Sequence, residues 1–273
     1  MKTRTFNNLA IVYDPEEELT ADLIEQASDE ALRLAKEMWG LEAPQDCRIY
    51  VMTSSLGFIF RSAPWPWRIM LGVTLPLWYW RVNRSWPISA AWTQRYGHHV
   101  AIGIKPPRFL ERSDRRIGTR MFVEQQDMNV NVQLVTCHEL VHACSAHLRL
   151  PAWFNEGIAV LTADRYLGKQ TIRQDTLAHL RDSSTKEAPP TYRELSRMDP
   201  EAILYHATRG YWLLRYLEDQ HPGSARSMLA KDSDSKQIEA EIAKQLGMEP
   251  NTLWSEIDEV VVRHFESGEV QNS

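Results

Sequence analysis

Strand-like and helix-like runs are segregated along this chain, and that segregation limits the fold more than any composition figure does. Leu9-Ala10-Ile11-Val12-Tyr13 is a short apolar run closed by Asp14-Pro15, and Arg48 to Met52 reads as a second strand. His99 to Lys105 alternates: Val100, Ile102 and Ile104 share one side, His99, Ala101, Gly103 and Lys105 the other, and Pro106-Pro107 ends the run. The alternation predicts a half-buried strand. Between the first two strands, Leu23, Ile24, Ala27, Ala31, Leu34 and Ala35 recur at helical spacing, which predicts a helix from Thr20 to Trp39 stopped by Gly40. Residues 108 to 130 read as loop with some helix. From Val130 onward the chain reads as helix: Val132 to Leu148, a second run from near Trp153 after the break at Pro151, then Ala202 to Glu218, Gln237 to Gln245 and Thr252 to Phe265, with Arg181 to Pro190 as a polar loop. The expected class is α+β, a small sheet-containing N-terminal lobe (1–148) packed on a helical C-terminal lobe (149–266), with the helix over Val132 to Leu148 between them, residues 267–273 as a tail, and the whole forming one unit.

Residues 56 to 96 interrupt this plan. Trp65, Trp67, Trp78, Trp80, Trp86 and Trp92 fall there, interleaved with Arg61, Arg68, Arg81 and Arg84, while Pro64, Pro66, Pro76 and Pro87 argue against a long helix. Three readings stand open for the segment: an insertion packed on the rest, a hydrophobic wall of a cleft, or a peripheral membrane contact through residues 63–92, with tryptophans at headgroup level and arginines reaching outward. Its longest apolar stretch, Ile69 to Trp80, contains Pro76 and is shorter than the roughly twenty residues of a spanning helix. No apolar run follows the basic residues of Met1 to Ala10, so the expected location is cytoplasmic.

A net charge of −5 offers no general affinity for nucleic acid, which usually needs a basic face. Cys47, Cys137 and Cys144 form no disulfide framework and no Cys-x-x-Cys pair, and read as small buried thiols.

The chemistry sits in His138-Glu139-Leu140-Val141-His142. An α-helix turns once every ~3.6 residues, so two histidines four apart project from one face, one above the other. Both imidazoles can reach one zinc ion at about 2.0–2.1 Å. Glu139 is rotated by about 100° from His138. It can lie beside the metal without ligating it and accept a proton from water. A catalytic zinc needs a third protein ligand, and the strongest candidate is Glu156, in Trp153-Phe154-Asn155-Glu156-Gly157 on the next predicted helix. His147 points away from the histidine face. Ser145 and Leu148 stand where a His-Glu-x-x-His-x-x-Gly-x-x-His pattern needs glycine and histidine. Asp164 is a rival better placed to support a ligating histidine. His98 and His99 read as strand-edge residues, or as part of an edge that pairs with an extended peptide.

His138 to His142, together with Leu150-Pro151-Ala152-Trp153-Phe154-Asn155-Glu156-Gly157-Ile158-Ala159, resembles the gluzincin metallopeptidases of the peptidase-MA-like group. The resemblance implies a zinc-dependent peptidase acting on a peptide or protein substrate, with Zn²⁺ held by His138, His142 and Glu156 and with Glu139 as general base. Arg209 to Leu217 is similar to a later helix of that group, whose members often carry an oxyanion-stabilising tyrosine three residues before its glycine. Here that position is Ala207; Tyr205, His206 and Tyr211 are the candidate substitutes. The departure leaves a second class open, a non-catalytic zinc-binding interaction or membrane-surface protein with a degenerate cleft.

Overall fold

The computed structural model describes residues 1–113, 115, 118–125, 127–183, 185–231 and 234–269. It is a mixed α+β protein, with one five-stranded sheet near the N-terminus and helices after it. Residues divide into two compact units. The first holds Met1–Lys36, Glu42–Arg120 and Glu124–Ala146; the second holds Glu37–Leu41, Met121–Val123 and the chain from His147 onward.

In the first unit the strands are β1 (Lys2–Phe6), β2 (Leu9–Tyr13), β3 (Cys47–Val51), β4 (Ala91–Tyr96) and β5 (His99–Ile104). They lie side by side in the order β1-β2-β3-β5-β4. β2, β3 and β5 are parallel neighbours, and β1 and β4 flank them antiparallel. Helix α1 (Glu18–Trp39) carries the chain from β2 to β3, the crossover that a parallel pair requires. The periodicity of Leu23, Ile24, Ala27, Ala31, Leu34 and Ala35 corresponds to its buried stripe.

Two strands lie outside the sequence expectation. β1 is a polar edge strand joined to β2 by Asn7-Asn8, both at positive φ (42° and 65°), the backbone that a two-residue hairpin turn demands. β4 sits inside the tryptophan-rich stretch and turns into β5 through Gly97-His98. A correction concerns β5. It is buried on both faces rather than half-buried, and it is an interior strand, so His98-His99 does not mark a sheet edge; the edges are β1 and β4. The small residues that mimic a solvent face are small for packing reasons. A Cβ on Gly103 would come within 2.9 Å of Met52 and Phe58. Between β3 and β4 the chain forms α2 (Ser55–Ser62), α3 (Trp65–Val73) and α4 (Leu75–Ser85). Prolines 66 and 76 sit in the first turns of α3 and α4, where a missing N–H costs nothing.

After β5 come α5 (Pro107–Ser113), a single turn α6 (Thr119–Met121) and α7 (Met128–Ser145), which carries the histidine motif and packs on β4, β5 and α5. α7 is buried along much of its length although it carries polar residues among the apolar ones. Val132, Cys137, Leu140, Val141 and Cys144 are buried along it. Burial pushes the thiols of Cys47, Cys137 and Cys144 up to about 12. They are inert packing groups, since the reactive species is the thiolate.

The second unit is helical: α8 (Ala152–Leu167), α9 (Thr176–Ser183), α10 (Tyr192–Leu195), α11 (Pro200–Gln220), α12 (Ser224–Ala230), α13 (Ser235–Gln245) and α14 (Leu253–Glu269). α10 and α12 fall where no helix is expected, and α14 runs past the expected tail boundary at 267, with residues 270–273 outside the described ones. α8 and α11 form the closest pair. A Cβ on Gly157 would lie 2.8 Å from the Gly210 carbonyl oxygen, and one on Gly210 would lie 2.4 Å from that of Trp153. The glycine after Glu156 therefore allows two helix backbones to touch. Among the described residues no helix is long and apolar enough to cross a membrane.

Candidate metal centre

α7 starts at Asp127, whose side chain accepts a hydrogen bond from the Asn129 N–H. Ten residues into the helix, His138 and His142 stack one turn apart with ring planes at 89° and Nε2 atoms 3.0 Å apart. That contact is a hydrogen bond when one nitrogen carries the proton. The same separation is close to the ~3.3 Å that two nitrogen ligands of a tetrahedral zinc keep at a Zn–N distance of about 2.05 Å. Both rings are half-buried. Imidazole nitrogens are donors suited to a divalent ion of intermediate softness.

Glu139, between them in sequence, is buried, and its Oε2 accepts a hydrogen bond from Thr93 Oγ1 at 2.6 Å. Thr93 lies on β4, where residues two apart share a face. Arg95, two further on, donates to the Ala146 carbonyl just past the end of α7. One strand therefore fixes both the carboxylate and the C-terminal end of the motif helix. Thr93 was not foreseen, because β4 itself was not.

Glu156 stands half-buried on the first turns of α8 in the second unit. The Tyr192 hydroxyl donates to its Oε1 at 3.0 Å, and Asn155 Nδ2 donates to the Tyr192 oxygen at 2.9 Å. The amide occupies an acceptor site of the phenol, so the phenolic proton is directed to the carboxylate. Tyr192 opens α10, whose start is set by a reciprocal capping box of Thr191 and Glu194. Thr191-x-x-Glu194 is a sequence signal that could have marked this turn.

The three candidate oxyanion donors are all enclosed within the second unit. Tyr205 is buried, donates to Asp258 Oδ2 at 3.1 Å and accepts from the Thr185 N–H. Asp258 Oδ1 receives Arg209 Nε at 2.7 Å, and the same guanidinium reaches the Glu187 and Trp254 carbonyls. His206 is buried beside Tyr205. Burial, reinforced by Arg209, pushes its imidazole down to about 4, so it is neutral at physiological pH. The Tyr211 hydroxyl donates to Asp164 Oδ2 at 2.8 Å and accepts from Arg215. Asp164 Oδ1 accepts from the backbone N–H and hydroxyl of Thr171, so both of its oxygens are engaged. Burial raises both the Asp164 carboxyl and the Tyr211 phenol.

No known family matches the chain, and neither a curated protein nor a solved structure matches it.

Proposed function

We propose that this chain is a zinc-dependent hydrolase that cleaves peptide bonds of a peptide or protein substrate. His138, His142 and Glu156 would hold the metal. The observation that carries the reading is the pair of imidazole nitrogens 3.0 Å apart on one helix face, with a carboxylate between them in sequence that is already anchored. Glu156 is the proposed third ligand. Its helix begins only six linker residues, Ala146 to Pro151, after α7 ends, and its side chain is oriented by Tyr192.

Bound zinc supplies Lewis acidity, bringing the pKa of water toward neutrality and polarising a carbonyl. Glu139 acts as general base. Thr93 holds one oxygen, which leaves the other to take the proton of the attacking water and deliver it to the leaving amine. Tyr192 is a positioning residue: it fixes the rotation of the Glu156 carboxylate, as an outer hydrogen-bond partner of a metal ligand does.

Glu139→Gln tests the reading. Zinc content should stay at that of the wild type, while hydrolysis of a mixed peptide library falls by about 10²–10⁴. A wild-type protein without stoichiometric zinc, or unchanged turnover in the variant, overturns it. A second reading, a zinc-holding interaction protein without turnover, is favoured by one observation: Tyr205, His206 and Tyr211 are all buried, so none offers an open oxyanion donor. Library hydrolysis with and without chelator separates the two, because chelator-insensitive background alone supports the second.

A further inference from the structure

We propose that the consecutive helices α3 and α4 dock the protein on an anionic lipid surface, lying in the headgroup region. Neither helix contributes a fully buried residue. One side of the pair packs on the sheet and α2: Leu71, Trp78 and Val82, with Trp86 just past α4, lie against a cluster that includes Tyr50, Phe58, Ile59 and Tyr96. A water-facing helix carries polar residues on the opposite side. Here that side holds Trp65 (71% exposed), Val73 (77%), Leu77 (74%) and Trp80 (55%), with Ile69 and Met70 also exposed. The pair is apolar on both sides, and among the described residues only one side is packed within the chain.

Charge selects the occupant. From Cys47 to Leu110 there is no aspartate or glutamate, in a chain that carries 36 of them. Arg81 and Arg84 stand exposed on α4, and the Arg81 guanidinium lies over the Trp80 ring at 5.4 Å. Tryptophan beside arginine is the pairing that settles at the membrane interface, the ring among headgroups and the guanidinium on phosphate. α3 and α4 are nine and eleven residues long, each far short of the roughly twenty needed to span, so they lie in the surface rather than crossing it. A protein partner of ordinary interface chemistry would not call for a long acid-free stretch around the apolar face.

Vesicle co-sedimentation of the full chain tests the proposal. The wild type should pellet with phosphatidylcholine vesicles containing about one-third phosphatidylserine and much less with phosphatidylcholine alone. Replacing four exposed side chains together (Trp65→Ser, Val73→Ser, Leu77→Ser, Trp80→Ser) should lower partitioning at least about tenfold. Arg81→Gln with Arg84→Gln should lower it by about fivefold for each arginine, and only on anionic vesicles. Circular dichroism matching the wild type establishes that the serine variant is folded, and the arginine variant provides an independent arm if it is not. Negligible pelleting of the wild type, equal pelleting on both vesicle types, or equal pelleting of wild type and a folded serine variant overturns the proposal. So does sedimentation velocity that shows self-association dependent on the same four side chains, since the face would then belong to a second copy.

Discussion

The surroundings of His138 and those of Asp258 draw on the same side-chain alphabet and use it in opposite ways. On α7 the two imidazoles bring their Nε2 atoms within 3.0 Å of each other. The imidazoles are half-buried, and the carboxylate is anchored through one oxygen by Thr93. Around Asp258, a carboxylate, a guanidinium and a phenol interlock in a buried network: Arg209 and Tyr205 donate to the two carboxylate oxygens, and the Glu187 and Trp254 carbonyls each accept a further guanidinium hydrogen. A network with its hydrogen-bonding capacity turned inward defines a unique packing. Half-buried imidazoles beside an anchored carboxylate are the arrangement on which the proposed chemistry rests. The comparison teaches that residue type, and even proximity in sequence to a motif, does not decide which role a tyrosine or histidine takes; the partners of the side chain decide it.

The comparison breaks most decisively at Asp258. Asp258→Ala leaves the Arg209 guanidinium buried without its counter-charge, and breaking a buried pair from one side costs about 3–5 kcal/mol. Urea denaturation should show that loss, while zinc affinity of the folded protein stays unchanged. A fall below about 1 kcal/mol would mean that Arg209 is satisfied by carbonyls alone, and a matching loss of zinc affinity would tie the network to the proposed metal site. Tyr192→Phe is the counterpart on the other side. It removes the hydrogen bond to Glu156 from a half-exposed side chain. Zinc affinity, measured by competition with a chromophoric chelator, should drop by about 10–100-fold. Stability of the zinc-free protein should change by less than about 1 kcal/mol. Wild-type affinity in this variant removes Tyr192 from the site without touching the histidines.

How much of this was legible depended on whether a residue's role is set by near or distant neighbours. The two histidines follow from helix period alone, and the α+β segregation from where alternating and helical patterns fall. The stripe of α1 is likewise local. β1 was hidden because Lys2, Thr3, Arg4 and Thr5 are the residues of an edge, chosen for exposure rather than burial. β4 was hidden among tryptophans that serve the packing of α3 and α4. Gly103 was misread as part of a solvent-facing side because Met52 and Phe58, some fifty residues away, occupy the space that a larger side chain would need. Tyr192 lies thirty-six residues after the carboxylate it touches, on a four-residue helix. No periodicity joins the two, and only the capping box at Thr191 announces the turn. The α11 candidates had the converse problem: the family resemblance pointed at Tyr205 and His206, while the partners of both side chains are set by burial among residues distant in sequence.

The smallest expected effect separates the two regions most cleanly. Tyr205→Phe deletes one hydroxyl that donates to Asp258 and accepts from the Thr185 N–H. A single neutral hydrogen bond is worth about 1 kcal/mol of net stability, and slightly more when a charged acceptor loses its donor. The variant should therefore unfold at modestly lower urea, with turnover and zinc affinity equal to the wild type. If the same hydroxyl stabilised the oxyanion, its loss would cost about 10²–10³ in kcat with little change in stability. The two outcomes differ in observable as well as in size. A large kcat defect with an unmoved denaturation midpoint would transfer Tyr205 from the packed network to the reacting centre and would require the enclosure of its hydroxyl to open during turnover.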